Sequence, residues 1–200
     1  MYPYRRELNQ AGFFPPLGLE FIAAVVRPHA QSLDLIDLRK EHGRTGDFLR
    51  PETDLVCFSV NWNRDWEFLT EEICSVSKDI LTIVGGRIAT ERPDQLLEQF
   101  PNVKAVVRGD GEEAMADICR AVPWDQITGL SYRENGEIKH NANRTLGELR
   151  DDVYPDRSLR RQDYHVELAR ANVGIRVDGI STSRGCPFNC SFCSFSRNPW

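Results

Sequence analysis

Apolar runs alternate with amphipathic segments through the first half of the chain. Residues 55–60 read Leu-Val-Cys-Phe-Ser-Val, and such a nearly continuous apolar run is typical of a strand buried on both faces. Similar runs predict strands at residues 80–84 and 103–107. Apolar positions at helical spacing predict helices at residues 66–77, 93–100 and 112–121. This alternation predicts an α/β fold, with a doubly wound parallel sheet covered by helices on both faces.

The start of the chain departs from this pattern. Apolar residues at helical spacing predict a helix that begins near Leu17 and ends near His29. Residues 32–38 alternate apolar and acidic side chains, as a strand near a sheet edge does. Residues 1–10 show no strand pattern. The first strand of the doubly wound domain is therefore predicted to be missing.

The pattern changes after Pro123. Residues 127–132 and 137–139 flank an Asn-Gly pair, which predicts a β-hairpin. Residues 144–170 have little periodicity and predict a linker with at most one short helix. Residues 173–183 then predict a strand. We therefore expect an α/β domain over residues 1–124, a hairpin and linker over 125–172, and the start of another domain over 173–200.

Composition narrows the possible partners and the location. The chain is 40% hydrophobic and 28% charged, and its net charge is −5. With this mildly acidic net charge, the sequence shows no cluster of basic residues of the kind that binds nucleic acid. No apolar run is long enough to span a bilayer, and the N-terminus has no signal-peptide core. We predict a cytoplasmic protein with no nucleic-acid partner and no membrane span.

The six cysteines fall into two groups. Three are isolated in apolar stretches, and this context predicts that they are buried, inert thiols. They are Cys57, Cys74 and Cys119. The other three form a C-x3-C-x2-C array and can converge on one soft metal centre; these are Cys186, Cys190 and Cys193. Three thiolates would leave one iron of a cubane cluster open. The alternatives are a cysteine-rich turn or a zinc knuckle with a ligand from elsewhere.

The cysteine array resembles the signature of the radical S-adenosylmethionine (SAM) enzymes, with Phe192 at the aromatic position before the last cysteine. The resemblance implies a [4Fe-4S] cluster held by Cys186, Cys190 and Cys193, whose open iron chelates SAM. It also implies cleavage of SAM to a 5′-deoxyadenosyl radical, and an electron donor such as flavodoxin or ferredoxin. Residues 173–200 would then be the first strand and cluster loop of a partial TIM barrel.

Three further stretches resemble the cobalamin-binding, Rossmann-like domain of many radical SAM proteins. They are residues 15–19, 84–86 and 107–112. The resemblance implies contacts to cobalamin at strand ends, where small residues permit close approach of its nucleotide tail. The implied contacts are Ser59, Asn61, Gly85, Gly86 and Gly109.

Two departures from that family are informative. Its Asp-x-His-x-x-Gly motif would place the glycine at Gly18 and the cobalt-ligating histidine at Pro15. Proline cannot bind cobalt, so we expect cobalamin without a protein imidazole. The acidic residues Asp110, Glu112 and Glu113 are expected to repel a phosphate at the start of the following helix.

The resemblances together predict radical C-methylation of an unactivated carbon in a small-molecule substrate, with [4Fe-4S], SAM and cobalamin as cofactors. The alternatives are a cobalamin-dependent cyclisation or rearrangement, and a cofactor-binding fragment with no activity. The barrel that would hold SAM and substrate is expected to follow Trp200. The chain is therefore predicted to be an N-terminal fragment that does not turn over by itself, and the sequence does not identify the substrate.

Overall fold

A computed structural model describes residues 1–4, 14–63, 66–144, 153–168, 171–184 and 190–191. The α-helices of the described residues are α1 Leu17–Val26, α2 Trp66–Cys74, α3 Arg87–Glu91, α4 Pro93–Gln99 and α5 Glu112–Cys119. The strands are β1 Leu55–Ser59, β2 Leu81–Gly85, β3 Val103–Val107, β4 Leu130–Glu134, β5 Glu137–His140, β6 His165–Leu168 and β7 Ala171–Arg176. Short 3-10 helices lie at Arg27–His29, Thr45–Phe48, Trp124–Gln126 and Arg157–Leu159.

The main sheet has five strands in the order β1-β2-β3-β4-β5. The first three are parallel, and β4 and β5 continue the sheet as an antiparallel hairpin. At the hairpin turn, Asn135 and Gly136 have φ angles of 52° and 86°, as a type I′ turn requires. The predicted hairpin is confirmed, and it lies in the same sheet as the parallel strands.

Helices cover both faces of the sheet, as a doubly wound fold requires. On one face, side chains from α2, α3 and α4 pack against alternate residues of β1 to β3. On the other face, α1 and α5 pack against the intervening residues. Because successive side chains of a strand point to opposite faces, each strand contributes to both cores. The predicted doubly wound α/β fold is confirmed.

An extended segment at the start of the chain takes the place of the first strand. The Met1 carbonyl accepts a hydrogen bond from the Ser59 amide at 2.9 Å, and the Tyr2 amide donates to the Ile36 carbonyl at 2.9 Å. Tyr2 forms one parallel bridge with Asp37. Before β1, the described residues have this bridge and no full strand, so the strand predicted at residues 32–38 is wrong. Residues 1–4 lie between β1 and residues 36–38. The sheet therefore extends beyond β1.

The predicted linker is wrong at its end. His165–Leu168 and Ala171–Arg176 form an antiparallel two-stranded sheet, so the predicted strand at residues 173–183 begins earlier and ends at Arg176. Within the described chain, no helix combines the length and apolar character needed to cross a bilayer. The domain limits at residues 124 and 172 stay predictions.

Two buried polar contacts attach residues 153–168 to the α/β domain. The Arg160 guanidinium pairs with Glu20 of α1, whose side chain is completely buried. The Tyr164 hydroxyl donates to Asp37 Oδ2 at 2.8 Å, and Arg39 Nη2 binds the same oxygen at 2.6 Å. Burial raises the pKa of Tyr164, so its hydroxyl keeps the proton that it donates.

Tyr164→Phe should lower the free energy of unfolding by about 1.5–3 kcal/mol, because a hydrogen bond to a buried charged group is lost. Urea unfolding followed by circular dichroism measures this. Tyr154→Phe is the matched control, since Tyr154 is 75% exposed and its change should stay within about 0.5 kcal/mol. Equal effects of the two substitutions would contradict the assigned role of Tyr164.

Candidate functional site

A cavity of about 350 Å³ lies between the sheet and helices α1 and α5, at the carboxyl ends of β1, β2 and β3. Its volume falls within the usual range of small-molecule sites. The structure brings all five sequence-predicted contact residues to this cavity. They are Ser59, Asn61, Gly85, Gly86 and Gly109.

The strand order explains why the cavity lies here. Five segments lie side by side across the sheet, in the order residues 36–38, residues 1–4, β1, β2 and β3. The chain order reverses between residues 1–4 and β1, which makes this position a topological switch point. Ligands of open α/β sheets bind outside the carboxyl ends of the strands at such a point.

The polar end of the cavity is organised around Asn61. Its side-chain amide donates to Ser59 Oγ at 2.9 Å, and its Oδ1 accepts from the Arg87 amide at 3.0 Å. These contacts fix the orientation of the Asn61 side chain. The Ser59 hydroxyl accepts one bond from Asn61 and can still donate to a ligand.

Tyr4 fixes the backbone after β1. Its hydroxyl accepts hydrogen bonds from the amides of Asn61 at 2.8 Å and Trp62 at 2.7 Å. The same hydroxyl lies 3.2 Å from the Trp62 carbonyl, to which it donates. Burial raises the pKa of Tyr4, which keeps this donor protonated. Sequence reasoning missed Tyr4 because residues 1–4 show no periodic pattern.

Gly85 and Gly86 are adjacent, but different structural constraints require a glycine at each position. Gly86 has φ of +101°, and a Cβ there would lie 2.8 Å from both Asn61 Oδ1 and the Val60 carbonyl oxygen. Gly86 is therefore required by the backbone turn. A Cβ on Gly85 would make only ordinary contacts, the nearest at 3.9 Å from the Val107 carbonyl oxygen. The turn does not require a glycine at Gly85.

The side of the sheet that Gly85 faces is decisive for its role. Ile83, two residues earlier on β2, packs in the core under α1 and α5, and side chains two apart share a face. A side chain at Gly85 would therefore enter the cavity. The glycine keeps this space open.

Gly109 links the loops after β2 and β3. Its amide donates to Thr90 Oγ1 at 2.9 Å, and that hydroxyl donates to the Gly86 carbonyl at 2.9 Å. Gly109 also has φ of +76°. This chain of bonds sets the distance between the two glycine-containing turns at the cavity floor.

Apolar side chains form the remaining walls, and sequence reasoning did not assign them to the site. They come mainly from α1, β1 and α5, namely Leu17, Phe21, Ile22, Cys57 and Met115. Burial raises the pKa of the Cys57 thiol to about 12, which disfavours the reactive thiolate. Cys57 and Cys119 are half-buried, whereas the sequence predicted that they are buried. The prediction that Cys74 is buried is wrong, because Cys74 is exposed on α2.

The acidic start of α5 is neutralised by two arginines. Arg184 contacts Glu112 Oε1 at 2.5 Å and Asp110 Oδ2 at 3.4 Å. Arg144 pairs with Glu113. These two arginines therefore offset the expected repulsion between the carboxylates and a phosphate. The sequence pattern did not indicate that either arginine lies next to the carboxylates.

Comparison with known proteins identifies the family of this domain. The B12 binding domain matches residues 8–119, which is more than half of the 200 residues. The chain belongs to the B12 binding domain family. The match includes α1, β1, β2, β3 and α5, the elements that enclose the cavity.

Two curated relatives extend the similarity beyond the B12 binding domain. An uncharacterised methyltransferase of Pyrococcus horikoshii is 30% identical over 193 residues, which cover 91% of this chain and 41% of that protein. An anaerobic magnesium-protoporphyrin IX monomethyl ester cyclase of Cereibacter sphaeroides is 32% identical over 200 residues, covering 92% of this chain and 32% of that protein. The chain thus spans 41% of the length of the first relative and 32% of the second.

A solved structure shares the fold. The radical SAM methyltransferase TsrM from Kitasatospora setae, solved with cobalamin and a [4Fe-4S] cluster bound, superposes with a TM-score of 0.60 at 16% identity. The superposition covers 77% of this chain and 30% of TsrM. At this identity, the likeness shows the fold alone.

The cavity of the B12 binding domain suits a cobalamin tail. Gly85 leaves the strand end open, and the apolar walls suit a flat aromatic base. None of the described side chains that line the cavity is a histidine. The assignment of Pro15 to the position of the family's ligating histidine stays a prediction from sequence.

The cysteine array follows the B12 binding domain at the far end of the chain. Cys186 and Cys193 lie outside the described residues, and Cys190 is half-buried. In the described part of the chain, no group of three or more His, Cys, Asp or Glu side chains could hold a metal ion. The assignment of the three cysteines to a cluster stays a prediction.

Proposed function

We propose that this chain is the cofactor-binding part of a cobalamin-dependent radical SAM enzyme. The observation that carries the proposal is the cavity at the switch point, which is lined by the five strand-end residues expected from sequence and lies in a B12 binding domain. Cobalamin would place its nucleotide tail between the sheet and helices α1 and α5. Ser59 and Asn61 would meet its polar groups, while Phe21 and Met115 would pack against its base.

Cys186, Cys190 and Cys193 would hold a [4Fe-4S] cluster whose open iron binds SAM. The C-x3-C-x2-C donor set supports this assignment, because three thiolates suit a cluster with one open iron. An electron donor such as flavodoxin or ferredoxin would supply the reducing electron. The cytoplasmic location predicted from composition is part of the same proposal.

The reaction proposed for the whole protein is C-methylation of a small molecule. When bound, methylcobalamin would supply the methyl group, and the residues of this chain would bind and shield it. The similarity to the methyltransferase of Pyrococcus horikoshii supports methylation. The comparable similarity to a magnesium-protoporphyrin ester cyclase supports cyclisation as the second candidate.

Cobalamin binding tests the first step of the proposal. The purified chain, incubated with hydroxocobalamin, should retain a stoichiometric amount of corrinoid through gel filtration, measured by visible absorption. Gly85→Leu should weaken this binding at least about 10-fold, or about 1.4 kcal/mol, since overpacking typically costs about 1–3 kcal/mol. Gly46→Leu is the matched control, because Gly46 is exposed and has open space around its Cβ position.

Two outcomes would contradict cobalamin binding in this cavity. One is a folded chain that retains no corrinoid. The other is equal retention by wild type, Gly85→Leu and Gly46→Leu, which would place any corrinoid elsewhere. Circular dichroism of each variant verifies folding.

Methylation and cyclisation are distinguished without knowing the substrate. The whole protein that contains this chain, reconstituted with cluster and cobalamin and kept with a chemical reductant so that cob(I)alamin can form, is given SAM with a deuterated methyl group, and the corrinoid is extracted for mass spectrometry. Methylation predicts deuterated methylcobalamin, while cyclisation predicts none. Formation of 5′-deoxyadenosine distinguishes both reactions from a cofactor-binding fragment with no activity.

A further inference from the structure

Arg184 makes contacts with three side chains at the mouth of the cavity. Its guanidinium binds Glu112 at 2.5 Å and Asp110 at 3.4 Å, and it lies 5.1 Å from the centre of the Phe21 ring. The Arg184 side chain is 22% exposed and that of Glu112 is 13% exposed. This arrangement joins residues 72 positions apart in the sequence.

The segment before Arg184 is also attached to the rest of the protein. Arg160 Nη2 binds Asp178 Oδ1 at 2.8 Å, and Arg157 Nη2 donates to the Gly179 carbonyl at 2.9 Å. Ser181 lines the cavity together with Arg184. Residues 178–184 therefore lie along the cavity edge and are held at both ends.

Arg184 lies directly before the cysteine array, so its contacts bear on where that array is held. Cys186, the first residue of the cysteine array, is only two residues further along the chain. Two residues span at most about 7 Å, so the contacts of Arg184 restrict where the array can start. The same contacts complete the wall of the proposed cobalamin cavity.

We propose that Arg184 is a positioning residue that couples the cobalamin cavity to the cluster loop. Bound cobalamin stabilises the wall that Arg184 completes, and an assembled cluster stabilises the loop that Arg184 anchors. Because coupling between two sites is reciprocal in affinity, cluster assembly should tighten cobalamin binding, and bound cobalamin should tighten cluster binding. Since differences of affinity lie mostly in the dissociation rate, the first effect should appear as slower cobalamin dissociation. This inference rests on the proposed function.

The charges favour a specific contact at this position. Asp110 and Glu112 lie at the start of α5, and loss of Arg184 would remove one of the two arginines, with Arg144, that offset their charges at the cavity mouth. A partly buried arginine–carboxylate pair has fixed geometry and is stronger than an exposed pair. Loss of Arg184 should therefore release residues 178–184 and leave negative charge where a phosphodiester would approach.

Cobalamin dissociation tests the coupling. The rate is measured by dilution of the loaded chain and absorption of the released corrinoid, before and after reconstitution of the cluster. In the wild type, the cluster should slow dissociation by about 5-fold or more, the lower range of typical couplings. Arg184→Gln should abolish this difference. Arg176→Gln is the matched control, since Arg176 pairs with Asp163 on an exposed surface.

A second measurement needs neither cofactor. Hydrogen–deuterium exchange of the unloaded chain should show faster exchange at residues 178–184 in Arg184→Gln than in wild type. The double variant Arg184→Glu/Glu112→Arg, which exchanges these two charges, should restore slow exchange in part, because the new carboxylate at position 184 would also face Asp110. A merely general loss of stability would not be repaired by that exchange of charges.

The two measurements separate the inference from the proposed function. A wild-type chain that retains no cobalamin would contradict the proposed function, while the exchange experiment would still test the anchor. Retained cobalamin whose dissociation is the same with and without cluster would overturn the coupling. Unchanged exchange in Arg184→Gln would overturn the anchor itself.

Discussion

Gly86→Ala should lower the free energy of unfolding by about 2–4 kcal/mol, because both the backbone and the neighbouring loop oppose a side chain there. Gly86 has φ of +101°, and the added Cβ would lie 2.8 Å from the Val60 carbonyl oxygen. That oxygen accepts the Ile88 amide at 3.0 Å, so it cannot move freely. Urea unfolding measures the change.

The neighbouring glycine provides the matched control. Gly85→Ala adds the same atom one residue earlier, where the nearest contact would be 3.9 Å. Its free energy of unfolding should change by less than about 0.5 kcal/mol, as at sites without strain. If both substitutions destabilised the protein equally, the distinction between a backbone role for Gly86 and a cavity role for Gly85 would be wrong.

The parallel sheet was predictable because its strands are buried on both faces. The predicted strand at residues 103–107 coincides with β3 Val103–Val107. β1 ends one residue earlier than predicted, and β2 is shifted by one residue at both ends. Continuous apolar runs flanked by polar loops leave little ambiguity about strand limits. Since ligand sites lie at the carboxyl ends of such strands, the predicted contact residues also came together.

The first-strand segment was not predictable from local pattern. Residues 1–4 read Met-Tyr-Pro-Tyr, and their extended form is fixed by distant partners such as Ser59 and Ile36. The strand His165–Leu168 was missed for a similar reason. It is too short to show alternation, and its pairing with β7 determines its conformation.

The cavity walls show a further limit of sequence reasoning. Phe21 and Met115 lie on helix faces that read as core positions, because an apolar side chain follows the same period whether it meets a core or a cavity. Only the open space left by Gly85 distinguishes the two. Arg184 was equally hidden, since its partners Asp110 and Glu112 are far from it in sequence.

Cys190→Ala should abolish the iron–sulfur chromophore. After anaerobic reconstitution with iron and sulfide, the wild-type chain should be brown and show broad visible absorption, because three thiolates hold the proposed cluster. Removal of Cys190 leaves two thiolates of the array, Cys186 and Cys193, which are too few to retain it. Absorption together with iron and sulfide analysis measures the loss.

Cys74→Ala is the matched control for this substitution. Cys74 is an exposed cysteine on α2, and its removal changes the number of thiols equally without touching the array. The Cys190→Ala chain should still retain cobalamin, since Cys190 does not line the cavity, but with the fast dissociation of a protein without cluster. Tight zinc retention and no chromophore in the wild type would instead favour a zinc knuckle. A chromophore that survives Cys190→Ala would place the cluster on other ligands.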